Sequence, residues 1–224
     1  MEVLKTFRHE NKYRIDKVTM YNIRDKLSNL LQIDRNIEGY TVRSLYFDSV
    51  NDIDYYEKLE GAYNRKKIRL RIYDDNFEFI KLELKSKFDN HQLKKSLVID
   101  KKTAIYLING YYEILLSLNN KYATEIYYIM RSNCYRPKCI IEYDRIAFTS
   151  HNNTRITLDF NIRSSNDVLN FFSNSVNFVN LVSYNEVVLE IKFDRFLEPY
   201  IATVLKGSVN MQESVSKYVM GRNL

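Results

Sequence analysis

The chain of 224 residues has no tryptophan, three histidines, two cysteines, two prolines and five glycines. So little glycine and proline leaves no room for a flexible linker or a low-complexity tail, and no repeat with a period of roughly 20 to 50 residues is visible. The sequence therefore reads as a single compact domain over residues 1–224. Cys134 and Cys139 have the spacing of neither a zinc site nor a redox motif, and both read as reduced structural residues. His9, His91 and His151 each stand without a neighbouring cysteine or second histidine, which argues against a histidine metal site and against a Ser-His-Asp arrangement. Long apolar runs are also missing. The most apolar window, Ala104 to Leu118, is interrupted by Asn109, Gly110 and Glu113 and is too short to span a bilayer. The start, MEVLKTFRHENKY, lacks the apolar stretch of a secretory signal, so a cytoplasmic location is expected.

What the sequence does have is charge in a regular pattern. Lys and Arg total 34 against 28 Asp and Glu, a net +6 with a pI near 9.1, which favours an anionic partner without naming it. In KIRLRIY, Lys67, Arg69 and Arg71 fall on one side of a strand and Ile68, Leu70 and Ile72 on the other. FIKLELKSK repeats this, with Lys81, Glu83, Lys85 and Lys87 opposite Ile80, Leu82 and Leu84.

Further strands are expected at TFRHENKYRI, YTVRSLYFD, HQLKKSLVID, KCIIEYDRIAFT, TRITLDFNI and EVVLEIKFD, eight in all, with SHNN as a short turn. Between them, DKVTMYNIRDKLSNLLQ predicts a helix capped by Asp16, its apolar stripe formed by Val18, Ile23, Leu27, Leu30 and Leu31. NDIDYYEKLEG predicts a short helix closed at Gly61. Residues 101–133 predict helix broken near Gly110 and at Asn119-Asn120, and RFLEPYIATVLKG a helix with Pro199 in its first turn. Asn166 to Tyr184 carries no clear signal. Hairpin-length turns make the expected class α+β with antiparallel pairing.

Along these strands the charged positions share one kind of site: Arg8, Glu10 and Lys12; Lys67, Arg69 and Arg71; Lys81, Glu83 and Lys85; Lys94; Arg145; Arg155 and Asp159; Glu190 and Lys192. Helices can cover the aliphatic side and leave the charged side facing away from them. If the sheet curls closed, these charges line a lumen of the size an eight-stranded barrel encloses. Such a lumen is unfavourable unless water or an anion fills it. Arg grips phosphate through paired donors and Lys supplies a mobile charge, so a polyphosphate chain suits it. Glu10, Glu83, Asp159 and Glu190 could hold Mg²⁺ or Mn²⁺ against phosphate oxygens, or could simply neutralise the adjacent cations.

The succession RHENKY, VRSLYFDS, KIRLRIY, KLELKSK, IEYDRIAF, RITLD, VLEIK and SKY resembles the VTC domain, the polyphosphate polymerase module of the vacuolar transporter chaperone complex, among the triphosphate tunnel metalloenzymes. The motifs run in order over nearly the whole chain. The resemblance implies a closed antiparallel tunnel in which the γ-phosphoryl group of metal-bound ATP passes to a growing polyphosphate chain. It implies that Lys12, Arg69, Arg71, Lys85, Arg145, Arg155 and Lys192 hold triphosphate or product, joined by Lys94, Ser216 and Lys217, and that Glu190 binds the metal. Ser96 stands where a second basic residue is expected after Lys94, and Arg8 where the hydrolase-type ExExK signature has its first Glu, a departure that fits the polymerase branch. A tunnel-fold triphosphatase, or a non-catalytic polyphosphate-binding module, are the other readings. Nucleic acid is not expected as a partner, because the strand residues flanking Arg69 and Lys85 are aliphatic and on the opposite side. The eukaryotic complexes join this module to a phosphate-sensing domain and a membrane portion. The resemblance therefore allows a separate membrane-protein partner, which would place the domain at the inner face of a membrane.

Overall fold

The computed structural model describes residues 8–74, 76–88, 91–209 and 211–223. In chain order the elements are β1 (Arg8–Asp16), α1 (Lys17–Ser28), β2 (Gln32–Ile33), β3 (Tyr40–Asp48), α2 (Ile53–Leu59), β4 (Arg65–Tyr73), β5 (Asn76–Phe88), β6 (His91–Ile99), α3 (Lys101–Ile108), a 3₁₀ segment (Tyr112–Leu118), α4 (Lys121–Ser132), β7 (Arg136–Thr149), β8 (Arg155–Ser165), β9 (Val179–Asn180), β10 (Glu186–Asp194), α5 (Pro199–Leu205) and α6 (Lys217–Arg222). A second 3₁₀ turn covers Val168–Asn170. Thr6 and Phe7 of the first expected strand lie outside the described residues.

The eight expected strands form one hydrogen-bonded path, β1-β10-β8-β7-β3-β4-β5-β6, to which β2 adds on β7 and β9 on β8. The registered pairings are antiparallel. Among the described residues no pairing joins β1 to β6, so the sheet is not closed by hydrogen bonds as the expected barrel requires. No described helix is long and apolar enough to cross a membrane.

The chain divides into two compact units. The first holds the described residues up to Thr41, with Tyr143–Arg163 and Asn180–Ser216. Its core joins Met20, Ile23 and Leu27 of α1 to Ile156 and Leu158 of β8, Val187, Leu189 and Ile191 of β10, and Ile201 and Leu205 of α5. Asp16 caps α1 as expected, its Oδ1 accepting from the Thr19 amide at 2.7 Å. The expected stripe is corrected: Val18 is 72% and Leu30 50% exposed, and Met20 takes the inward place. Val18 sits roughly 200° around the helix from Met20, on the solvent side.

The second unit holds Val42–Glu142, Ser164–Val179 and the residues from Lys217 onward. Ile68, Leu70 and Ile72 of β4 and Ile80, Leu82 and Leu84 of β5 pack against Ala104 and Leu107 of α3 and Ala123, Ile126 and Met130 of α4. The helical run breaks where the sequence predicts, at Gly110 (φ 86°) and Asn119 (φ 46°). The segment with no sequence signal is anchored by Phe171, fully buried in this core. A buried ion pair holds it. Arg43 Nε donates to Glu142 Oε2 at 2.5 Å, and Arg43 Nη1 to the carbonyls of Phe171 and Ser173 at 3.0 and 2.8 Å. Both cysteines are unpaired; Cys139 is buried, but Cys134 is exposed, so the structural reading does not extend to it.

Candidate functional site

In the second unit, packing Ile68, Leu70 and Ile72 inward turns the alternate residues of β4 to the opposite face. The register sets Lys67 across from Lys85, Arg69 from Glu83 and Arg71 from Lys81, then Lys85 from Lys94 and Glu83 from Ser96. Rows of like charge are unfavourable on adjacent strands, and Glu83 relieves them. Its carboxylate is 1% exposed, receives Arg69 Nε at 2.7 Å and Lys94 Nζ at 2.6 Å, and lies 4.0 Å from Arg71 Nε. Burial alone would raise the Glu83 pKa, but Arg69, Arg71 and Lys94 outweigh it and hold the carboxyl well below the usual range.

β3 closes this row on its other side. Arg69 Nη1 donates to the Tyr46 hydroxyl at 2.9 Å and Arg71 Nε to Ser44 Oγ at 3.1 Å. The buried Tyr46 phenol is pushed down in spite of its burial, chiefly by Arg69 and Arg71 and further by Lys217. Tyr218 of α6 stacks on Tyr46 with centroids 5.1 Å apart, and Lys67 Nζ lies 5.4 Å from the Tyr218 ring. α6 is held by its own bonds: Tyr218 donates to Asp48 Oδ2 at 2.5 Å, and Arg222 pairs with Asp52 at 2.8 Å. Asp48 in turn receives the amides of Ser49, Asp54 and Tyr55 at the start of α2. Of the expected residues, this unit gathers Arg69, Arg71, Lys85, Lys94, Lys217 and Glu83. Ser44, Tyr46 and Tyr218 are neighbours of this cation row that sequence alternation missed, because it reads faces within a strand and not which strands become neighbours.

The first unit carries a second cluster on β1, β10, β8 and β7. Lys12 pairs in register with Glu190, Glu10 with Lys192, and Glu190 with Thr157. Lys12 Nζ lies 3.0 Å from Glu10 Oε1 and 4.0 Å from Glu190 Oε2, and donates to the Val215 carbonyl at 3.1 Å; Lys192 pairs with Glu190. Burial disfavours the Lys12 ammonium, yet Glu190 and Glu10 outweigh it and raise its pKa above the ordinary lysine value. Arg145 grips Asp159 with both nitrogens, at 2.6 and 2.8 Å, a bidentate pair that overcomes burial and holds the guanidinium firmly protonated. Arg155 Nη2 donates to Asp34 Oδ2 at 2.6 Å and approaches the Tyr40 hydroxyl at 3.3 Å. Lys12, Arg145, Arg155, Lys192, Glu10 and Glu190 are thus brought together here, with half-buried Ser216 at the end of the same unit.

Among the described residues no three of His, Cys, Asp and Glu gather closely enough to hold a metal by themselves. Glu190 still fits a hard cation in the manner of Mg²⁺, which takes one or two carboxylates and completes its shell with substrate phosphates. The Thr157 hydroxyl, paired in register with Glu190, is buried and has no hydrogen-bond partner, so an oxygen donor stands uncommitted beside that carboxylate. Glu10 lies in the same cluster. Glu83 lies among Arg69, Arg71 and Lys94, and its geometry supports the charge-neutralising role rather than metal binding.

A model of the VTC domain family matches residues 7–224. A Hippeastrum protein described as an adenylyl cyclase with a dominant triphosphatase activity superimposes with a TM-score of 0.60 at 15% identity, over 96% of this chain and 94% of its own. A Pyrococcus horikoshii protein reaches 0.51 at 10% identity, over 95% and 97% of the two chains. A Vibrio parahaemolyticus protein provisionally named an adenylate cyclase reaches 0.51 at 11%, over 97% and 98%. No curated protein matches the sequence. At these identities the likeness is one of fold.

Proposed function

The chain belongs to the VTC domain family, and from that membership we propose that it is a polyphosphate polymerase, transferring the γ-phosphoryl group of ATP to a growing inorganic polyphosphate chain. In this reading residues 1–224 are a single domain of the triphosphate tunnel kind, although among the described residues no pairing joins β1 to β6. The observation that supports it most is the cation row on β4, β5 and β6, compensated within by Glu83 alone of the expected acids, an arrangement suited to a multiply charged anion.

Phosphoryl transfer through a loose transition state calls for alignment and charge neutralisation more than for a covalent nucleophile, which accords with a site built from Lys and Arg. Arg69 and Arg71 are pre-oriented by Tyr46, Ser44 and Glu83, so their forks can hold phosphate without loss of side-chain freedom on binding. Lys85, Lys94 and Lys217 supply mobile charge for successive phosphates. Lys12, Lys192, Arg145 and Arg155 supply further positive charge in the first unit, Arg145 fixed by Asp159. The terminal oxygen of the polyphosphate attacks the γ-phosphorus, the bond from that phosphorus to the β-bridging oxygen breaks, and ADP leaves. An already ionised phosphate needs no general base. A divalent metal, Mn²⁺ or Mg²⁺, held at Glu190 with Glu10 and Thr157 nearby, would neutralise charge on the phosphate oxygens. A membrane-protein partner at the inner face of a membrane remains part of the same family-based proposal.

The test is to incubate the protein with ATP and Mn²⁺, with and without pyrophosphate, and resolve the products by size. A ladder of long phosphate polymers is expected, and Lys85→Ala and Glu190→Ala should each abolish it. Orthophosphate released without polymer would instead assign the chain to triphosphate hydrolysis, the activity described for the Hippeastrum protein.

A further inference from the structure

The cation-bearing face of β5 and β6 ends in apolar side chains. Val98 pairs in register with Lys81, so the two stand together on that face, and Val98 is 54% exposed. Phe79 precedes the fully buried Ile80 and therefore projects with Lys81 to the other side, where it is 58% exposed. On β4, Tyr73 completes the border: Lys81 Nζ lies 5.2 Å from its ring centroid, and Arg71 draws the phenol below its ordinary pKa in spite of burial. The register shifts between Arg71 and Tyr73. Within the residues this adds to β5, Phe77 packs onto the core beside Phe172 while Phe79 is left in solvent. Irregularities of this kind re-aim side chains beside binding sites.

An isolated surface aromatic needs no explanation. Here Phe79 and Val98 come from adjacent strands and flank Lys81, whose register partner Arg71 leads on to Arg69. Aromatic surface beside a row of cations is the composition that stacks bases while its charges hold phosphates. We propose that Phe79, Val98 and Tyr73 form a nucleobase subsite, on which the base of a nucleoside triphosphate lies while Lys81 and Arg71 meet its phosphates. The inference rests on the preceding reading that a nucleoside triphosphate is the donor. At about 3.4 Å per strand residue, Phe79 lies about 7 Å from Lys81 and about 14 Å from the level of Glu83 and Arg69, room for base, sugar and phosphates in line. Stacking reads ring area and not base edges, so the subsite separates a nucleotide from bare triphosphate and prefers purines without selecting one.

Calorimetric titration of the full chain with ATP and, separately, with inorganic tripolyphosphate tests this. Phe79→Ser should weaken ATP binding about tenfold and leave tripolyphosphate binding within about twofold, while Phe79→Tyr keeps the ATP affinity. The side chain is exposed, so both variants should fold, which their melting curves verify. Equal weakening of both ligands, unchanged ATP binding in Phe79→Ser, or no ATP binding by the wild-type chain overturns the subsite. Binding is read without turnover, so an absence of polymer in the product assay refutes the polymerase reading separately.

Discussion

Replacing Glu83 by Gln removes the carboxylate that Arg69, Lys94 and Arg71 surround at 2.7, 2.6 and 4.0 Å. The amide keeps the shape and one acceptor oxygen, so the perturbation is almost purely one of charge. Removing one partner of a buried ion pair costs about 3–5 kcal/mol, because the remaining charges are left desolvated and repelling. For a chain of this length, 1 kcal/mol moves the melting temperature by about 2–4 °C, so Tm should fall by roughly 6–20 °C. Tripolyphosphate should then restore more stability to the variant than to the wild type, since an added anion replaces the one removed. The pH dependence follows the same logic. The folded carboxyl is held below its unfolded pKa, so its contribution is present above about pH 4.5 and lost as pH falls below that, a loss the Gln variant should lack. The assay is thermal unfolding by circular dichroism at several pH values, with and without tripolyphosphate. A Tm within about 2 °C of wild type at neutral pH, or equal stabilisation of both proteins by the anion, refutes the claim that Glu83 stands in for a bound polyanion.

Three further outcomes are expected. Asp54 is buried, accepts from the Tyr135 hydroxyl at 2.8 Å and has its pKa pushed up to about 7 by burial, with Asp48 adding to the effect. The folded state then holds a proton that the unfolded chain releases, so stability should fall by up to about 4 kcal/mol between pH 4 and 7, a slope that Asp54→Asn flattens in denaturant titrations. A Cβ on Gly221 would sit 2.2 Å from Ile141 Cδ1 and 2.8 Å from Ser164 Oγ, so Gly221→Ala should loosen α6 and speed hydrogen exchange over residues 217–222. Arg43→Met takes the guanidinium away from the buried Glu142 carboxylate, and should cost about 3–5 kcal/mol in chemical unfolding while the folded fraction still binds tripolyphosphate.

Alternation with a period of two was enough to assign the charged and aliphatic faces of β4 and β5, because the constraint acts within each strand and does not depend on its neighbours; β3 was legible as a strand from its β-branched and aromatic residues, but not in its inward face, and it is buried along nearly its whole length. Helix breaks at Gly110 and Asn119 were legible for the same local reason. The segment 166–184 was not, since Phe171 is fixed by a distant core and by the buried Arg43, and neither leaves a periodic trace. α1 shows the intermediate case: its existence and its Asp16 cap were legible, but which apolar residues turn inward depended on the sheet beneath.

The sequence by itself determined that cations would line one side of a sheet, since side-chain parity is set by the backbone. Tertiary pairing decided which charges meet: Glu83 among Arg69, Arg71 and Lys94, Arg145 on Asp159, Lys12 between Glu10 and Glu190. It also decided where aromatic surface joins them, placing Tyr46 from β3 and Tyr218 from α6 against Arg69 and Lys67. Such contacts depend on strand order and register, which arise from packing over long stretches of chain and are not written in any single strand.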